Sequence, residues 1–188
     1  MLSKLIDETK DAIVSAIKGV DDIFSALRGA VKNQVVGALK DASNVSATGL
    51  DAVTDVVTGS LKSAGEVGSS VAEVAKNSVQ AAVEGVSEVG GDIIAATQKA
   101  ASGFIAGAAE LGEDLGSTAV GAIEGAIKAA ESTGVDSTKA VGAAVTGVVQ
   151  AADEVGSEAG SAVRKALLSA ASLPKDIIKK AIDDDSKK

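Results

Sequence analysis

The sequence predicts an all-α protein formed by one very long amphipathic helix of 11-residue repeats. Three observations support this fold class. Nonpolar residues recur with a period of 11, which corresponds to about 3.67 residues per turn and is close to the α-helical value. No segment shows the strict alternation of nonpolar and polar residues that indicates a half-buried strand. Proline, which interrupts helices, occurs only once, at position 174.

The 11-residue units pair into blocks that repeat every 22 residues. A triplet of glutamate, a branched nonpolar residue and glycine recurs in the blocks. The 22-residue frame runs through its copies without an insertion or deletion. Nonpolar residues fall on one arc of the helical wheel and charged residues on the other, so each block is amphipathic. The four copies of the triplet are Glu66-Val67-Gly68, Glu88-Val89-Gly90, Glu110-Leu111-Gly112 and Glu154-Val155-Gly156.

The pattern divides the chain into three parts. Residues 1–9 are predicted to start the helix, residues 10–174 to form the repeat helix, and residues 175–188 to form a short helix and a charged tail. An unbroken helix from residue 10 to about residue 173 would be roughly 250 Å long. The alternative is a helix with breaks at 90–91 and 132–134. We favour the unbroken form because these segments keep the 22-residue frame.

The residue types that are missing exclude most catalytic chemistry. The chain has no His and no Cys, which removes the commonest bases, nucleophiles and soft metal ligands. We therefore predict that the protein is not an enzyme, with no catalytic residue, cofactor or metal site. A net charge of −8 argues against binding to nucleic acid. The recurring acidic residues are interpreted as a solvated polar face: Glu66, Glu88, Asp92, Glu110, Asp114, Asp136, Glu154 and Glu158.

Glycine recurs at two positions of the block, and we expect both to serve close helix packing, because glycine lets two backbones approach. The alternative is that these glycines are neutral remnants of a recent duplication. Small-xxx-small pairs such as Gly103 with Gly107 and Gly121 with Gly125 carry little weight in a chain with 21 glycines. The predicted helix-packing residues are Gly68, Gly90, Gly112, Gly134, Gly156, Gly103, Gly125, Gly147, Val67, Val89, Ile93, Phe104, Leu111, Ile123 and Ile127.

A helix this rich in glycine cannot be stable alone in water, because each glycine costs about 1 kcal/mol relative to alanine. The sequence therefore predicts partners that cover the nonpolar face. We expect these to be copies of the chain itself, packed side by side as a straight or right-handed coiled-coil bundle, fibre, tube or sheet. The alternative function is an amphipathic coat on lipid droplets, membranes or storage granules. A disordered desiccation protector is disfavoured by the mean hydropathy of +0.26.

Residues 133–139 and 141–150 resemble the 11-residue repeats of perilipins and synucleins. The 22-residue unit is also similar to exchangeable apolipoproteins, and the period is similar to that of hendecad coiled-coil proteins. The first three groups imply a lipid surface as the partner, whereas the coiled-coil group implies other helices. This chain differs from synucleins in being acidic, and from apolipoproteins in having no prolines between its repeats.

The chain shows no targeting signal. Its first residues become charged too early for a signal peptide. The longest uncharged run, residues 140–152, is shorter than the 18 or so residues that a spanning helix needs. We therefore expect a cytoplasmic protein, with the periphery of a membrane or granule and secretion without a cleaved signal as alternatives.

Overall fold

The computed structural model describes residues 2–41 and 47–187, with side chains for 4–41 and 49–187. Three short stretches of the predicted segments lie outside the described residues. They are residue 1 of the range 1–9, residues 42–46 of the repeat helix, and residue 188 of the range 175–188. The described residues are helical throughout, apart from short turns. Ten helices follow one another: α1 (Leu2–Ile17), α2 (Ile23–Asp41), α3 (Ala47–Lys62), α4 (Ala64–Val67), α5 (Val71–Glu88), α6 (Ile93–Leu111), α7 (Leu115–Thr133), α8 (Ser137–Val155), α9 (Ser157–Ser169) and α10 (Lys175–Asp185).

The all-α prediction is confirmed, but the prediction of one very long helix is wrong for the described residues. Within the described residues the chain turns repeatedly. Four of its turns are 22 residues apart and begin at Gly68, Gly90, Gly112 and Gly134. Gly112, which follows α6, has φ +71°, and its N–H donates to the carbonyls of Ala108 and Ala109. Two residues later the Asp114 carboxylate accepts a hydrogen bond of 2.6 Å from the backbone N–H of Ser117. This left-handed glycine ends one helix and the aspartate begins the next.

The turns keep the 22-residue frame because they are part of it. A 19-residue helix such as α6 or α7, followed by a three-residue turn, fills one block. The continuous frame was the reason for predicting an unbroken helix, and it is equally compatible with a turn of constant length. The first glycine of each of four such turns has φ between +70° and +74°. They are Gly68-Ser69-Ser70, Gly90-Gly91-Asp92, Gly112-Glu113-Asp114 and Gly134-Val135-Asp136.

The helices form two rows, in which most helices pack most extensively against the helix two blocks away in the chain, whereas α9 packs most extensively against α8. One row contains α1, the α3–α4 pair, α6, α8 and α10, and the other contains α2, α5, α7 and α9. Helices within a row are parallel, because contacts advance together along both partners. Gly121 of α7 lies against Ala72 of α5, and Gly125 one turn later lies against Lys76.

The nonpolar side of each helix faces the space between the rows. The core there consists largely of Ala and Val, with a few larger side chains such as Phe104, Ile105 and Ile123. The stripe that the sequence analysis assigned to an external partner is thus covered by other helices of the same chain. No helix in the described ranges combines the length and hydropathy required to cross a membrane.

Removing the carboxylate at the start of α7 is expected to destabilise the fold in a pH-dependent way. Hydrogen bonds from the backbone and side chain of Ser117 hold the pKa of Asp114 below its ordinary value of 3.8. A carboxyl group with a lowered pKa stabilises the folded state above the unfolded-state pKa, and this contribution disappears as the pH falls through the folded-state pKa. Asp114→Ala should therefore lower the free energy of unfolding by about 1 kcal/mol at pH 7.

Urea titrations of Asp114→Ala and the parent at pH 7 and near pH 3 would measure this effect. The difference in unfolding free energy should shrink at the lower pH. Glu113→Ala is the matched control, because Glu113 is exposed in the same turn and caps no helix. An equal loss of stability in the control would rule out capping as the cause.

Candidate helix-packing site

Three of the predicted packing glycines lie between parallel helices. A Cβ atom built on Gly103 of α6 would lie 2.9 Å from Val57 Cγ2 and 3.0 Å from Thr54 Cγ2, both on α3. A Cβ on Gly125 would meet the backbone oxygen of Lys76, and one on Gly147 would meet the backbone oxygen of Gln98. Such distances leave no space for a side chain. The two helix backbones are in direct contact at Gly125 and Gly147, whereas the backbone at Gly103 lies against side chains of α3.

Five further glycines lie close against a neighbouring helix and were not among the predicted packing residues: Gly59, Gly85, Gly107, Gly116 and Gly121. A Cβ on Gly59 of α3 would lie 2.5 Å from the Ile6 oxygen of α1, and one on Gly85 would lie 3.1 Å from Val35 Cβ. Gly121 abuts the backbone of Ala72, and a Cβ on Gly107 would lie 2.9 Å from Leu61 Cδ2. The small-xxx-small spacing of two pairs, 103 with 107 and 121 with 125, was the sequence signal for part of this set.

The other five predicted glycines lie at helix ends. A Cβ atom added to any of them would meet nothing within 4 Å, so no close approach of helices occurs there. Four have a left-handed backbone, whereas Gly156, with φ +157° and ψ +161°, is the single residue that joins α8 to α9. These glycines are Gly68, Gly90, Gly112, Gly134 and Gly156.

The larger predicted packing residues divide between the core and the surface. Phe104, Ile123 and Val67 are buried. Val89, Ile93 and Ile127 are half-buried and pack against the core cluster. Leu111, the last residue of α6, is 49% exposed. The structure therefore brings most of these residues together inside one chain.

Ion pairs connect the same helices on the outer side of each row. Lys76 Nζ of α5 lies 3.1 Å from Glu124 Oε2 of α7, and Lys99 Nζ of α6 lies 3.3 Å from Asp51 Oδ1 of α3. Partial burial disfavours the charged form of Glu124, but hydrogen bonds from Ser172 and Lys76 outweigh it and hold the pKa of this carboxyl below its ordinary value. Pairs as exposed as these stabilise a fold by at most about 1 kcal/mol each.

A tighter pair holds the one-residue joint between α8 and α9. Arg164 donates two hydrogen bonds, of 2.7 and 2.6 Å, to the two carboxylate oxygens of Asp153. These bonds lower the pKa of the Asp153 carboxyl below its ordinary value. The carboxylate lies directly over Gly160, where a Cβ atom would collide with it. Gly160 thus leaves the space in which the pair forms.

Several polar side chains take part in hydrogen bonds within or at the ends of their own helices. Buried hydroxyls of Ser60 and Thr97 donate to carbonyls of the preceding turn of their own helices. Among the buried side-chain polar atoms of the described part, Thr9 Oγ1 and Ser78 Oγ have no hydrogen-bond partner. The described residues include no cluster of three or more acidic side chains that could hold a metal ion. The predicted acidic face is divided, since Asp92, Asp114 and Asp136 cap helices.

No protein-family model matches this chain, and no curated protein matches it either.

Proposed function

We propose that this protein is a non-enzymatic structural protein whose copies associate side by side through helix–helix packing. The observation that carries the proposal is the repeated contact of glycine with a neighbouring helix, at α3 on α1, α6 on α3, α7 on α5 and α8 on α6. Contacts of this kind recur along both rows, and a row end whose outer side is uncharged could receive one more helix in the same way.

Because the nonpolar stripe is covered within the chain, association would use exposed surfaces of the rows, including the helices at their ends. This favours a bundle in which rows of two or more copies are joined. The folded chain would also be helical as a monomer, so helix content should not depend on protein concentration. We propose that such assemblies form in the cytoplasm or at the periphery of a membrane or granule, without nucleic acid or a cofactor.

Sedimentation velocity of the full chain over a concentration series, with circular dichroism on the same samples, tests the proposal. We expect the average mass to rise with concentration while the helical signal per residue stays constant. A mass that remains that of one chain, 18.3 kDa, up to millimolar concentration would contradict self-association.

A second candidate function, a coat on an apolar surface, is favoured by the turns. From α5 to α9 each helix has a nonpolar side and a polar side, and a glycine joins each helix to the next. Rotation at these glycines would turn the nonpolar sides of successive helices toward a lipid surface. The core that must open contains mostly Ala and Val, which bury little area per residue.

Flotation with neutral-lipid emulsions tests the coat function. The test needs a form of the protein in which the helices cannot separate to expose their nonpolar sides. The chain has no native cysteine, so Lys76→Cys with Glu124→Cys allows α5 and α7 to be joined by a short thiol-reactive linker. A coat that opens should bind lipid in the unlinked form and lose binding when linked. Equal flotation of both forms would exclude opening between these helices, and no flotation would exclude the coat.

A further inference from the structure

We propose that the outer side of α2 is the surface on which a second copy of this chain docks, through its own α2, to form a symmetric dimer. This inference rests on the proposed function, because it identifies the surface used for association. We define the α2 edge as Ala30, Asn33, Gln34 and Gly37, which lie along the side of α2 that faces away from α5. Asn33 and Gly37 are exposed, and Ala30 and Gln34 are half-buried.

The repeat shows what normally covers these positions. Gly37 occupies the same place in its block as Gly59, Gly103, Gly125 and Gly147, each of which contacts the helix two blocks earlier. Among the described residues no such helix precedes α2 in its row, and no other helix lies within 4 Å of a Cβ atom placed on Gly37. The α2 edge is therefore a packing surface of this repeat that stays uncovered because α2 is the first helix of its row.

Neighbouring positions agree with this equivalence. The counterparts of Ala30 include Ala96 and Ala140, and those of Gln34 include Ala100 and Ala144. All four alanines are at most 1% exposed, because a parallel helix lies on them. The residues of the α2 edge are likewise small or uncharged, but no parallel helix of the described part covers them.

The other helices at the ends of the rows differ because their exposed sides include charged residues, although α9 also exposes Leu168. On α1 the counterparts of Ala30 and Asn33 are Glu8 and Asp11, both exposed. Polar outer faces of this kind close the ends of repeat proteins. The outer side of α9 presents Glu158 and Lys165, and that of α10 presents Lys179, Lys180, Asp183 and Asp184.

Arg28 and Lys32 of α2 lie on the side of the helix that faces α5. Arg28 donates a hydrogen bond to the side-chain oxygen of Asn77 on α5. Lys32 Nζ lies 2.8 Å from Glu88 Oε2, also on α5. These contacts fix Arg28 and Lys32 on the side of α2 that is already covered. The four residues of the α2 edge are uncharged, and the exposed Lys40 and Asp41 follow one turn beyond Gly37 at the end of the helix.

A second α2 is the occupant that best fits this edge. Docking of α9 or α10 from another copy would bring their exposed charges against it, and removing charges from water without partners is costly. An isologous contact instead pairs one uncharged edge with its equal, and it closes at two copies. Asn33 lies in the middle of the edge, where its side-chain amide can donate to and accept from the Asn33 amide of the partner.

The expected dimer is weak. A 19-residue helix is about 28 Å long, and contact along one helix falls at or below the low end of the roughly 1,200–2,000 Å² of stable interfaces. Association should therefore appear at high micromolar to millimolar concentration.

Sedimentation equilibrium of the full chain and of Gly37→Ala tests the α2 edge. Within one chain the added methyl group meets no atom, so the Tm of the dilute monomer should rise or stay unchanged. Between two chains it separates the helices, and we expect the dimer dissociation constant to increase about tenfold, equivalent to about 1.4 kcal/mol. Gly142→Ala is the matched control, because Gly142 also lies inside a helix with nothing within 4 Å of an added Cβ.

Cross-linking gives an independent readout. Asn33→Cys should form a disulfide-linked dimer on mild oxidation at high protein concentration, whereas Ser161→Cys on the exposed side of α9 should not. Association that Gly37→Ala leaves unchanged, with equal cross-linking of both cysteine variants, would overturn the α2 edge and leave self-association standing. A parent chain that stays monomeric, with no cross-linked dimer of the Asn33→Cys variant, would contradict both.

Discussion

Replacing Gly125 with valine is expected to lower the free energy of unfolding by about 3 kcal/mol, a large loss for one exchange of this size. The Cβ atom would collide with the backbone oxygen of Lys76 and lie 3.0 Å from Val79 Cβ. A backbone oxygen inside a helix cannot move aside as a flexible side chain can. Helices α5 and α7 would therefore have to separate along their length, which would uncover the alanines and valines between them.

Gly37→Ala is the comparison for this prediction, since both glycines hold the same place in their blocks. Gly37 has no neighbour within the chain, so alanine there should stabilise α2 by about 0.5–1 kcal/mol through its higher helix propensity. Urea unfolding followed by circular dichroism at low protein concentration would give both values. If Gly125→Val were as stable as the parent, helices α5 and α7 could not be in backbone contact.

Truncating Phe104 to alanine should destabilise the protein by about 3–5 kcal/mol. Phe104 is the largest fully buried side chain in the described part of the chain. The surrounding core consists mainly of small residues, which have few rotatable bonds with which to fill the space left by a ring. We therefore expect a persistent cavity and a cost toward the upper end of the range.

Phe24→Ala is the internal control, because Phe24 and Phe104 are the only aromatic residues and Phe24 is half-buried near the start of α2. Its truncation should cost clearly less than that of Phe104. Thermal unfolding of both variants by calorimetry would rank them. An equal loss of stability in the two variants would indicate that the core around Phe104 is not close-packed.

The helical class and the sidedness of each helix could be predicted because they depend on the spacing of residue types along the chain. Val79, Ile105 and Val145 lie on the predicted nonpolar arc, and all are buried. What covers this arc could not be deduced from spacing alone. A nonpolar stripe has the same pattern whether it meets another chain, a lipid surface or a helix two blocks later in the same chain.

The turns and the packing contacts were confused because both use glycine. Gly112 is needed for its backbone angle, and Gly125 for its missing side chain, yet the two look alike in a sequence. Their surroundings distinguish them. An aspartate follows Gly112 by two residues and caps the next helix, whereas Gly125 is flanked on both sides by residues that continue the helix. The glycine together with the aspartate marks the turns that begin at Gly90, Gly112 and Gly134.

Pairing each helix with one two blocks away affects how the chain reaches this structure during synthesis. Ser132 bonds to Glu84, and Lys99 pairs with Asp51, in each case 48 residues apart. A helix leaving the ribosome therefore stays partly uncovered until about as many further residues have been translated. Its nonpolar side is available to chaperones or to aggregation during that interval, and closing contacts over such separations slows folding relative to bundles with local contacts.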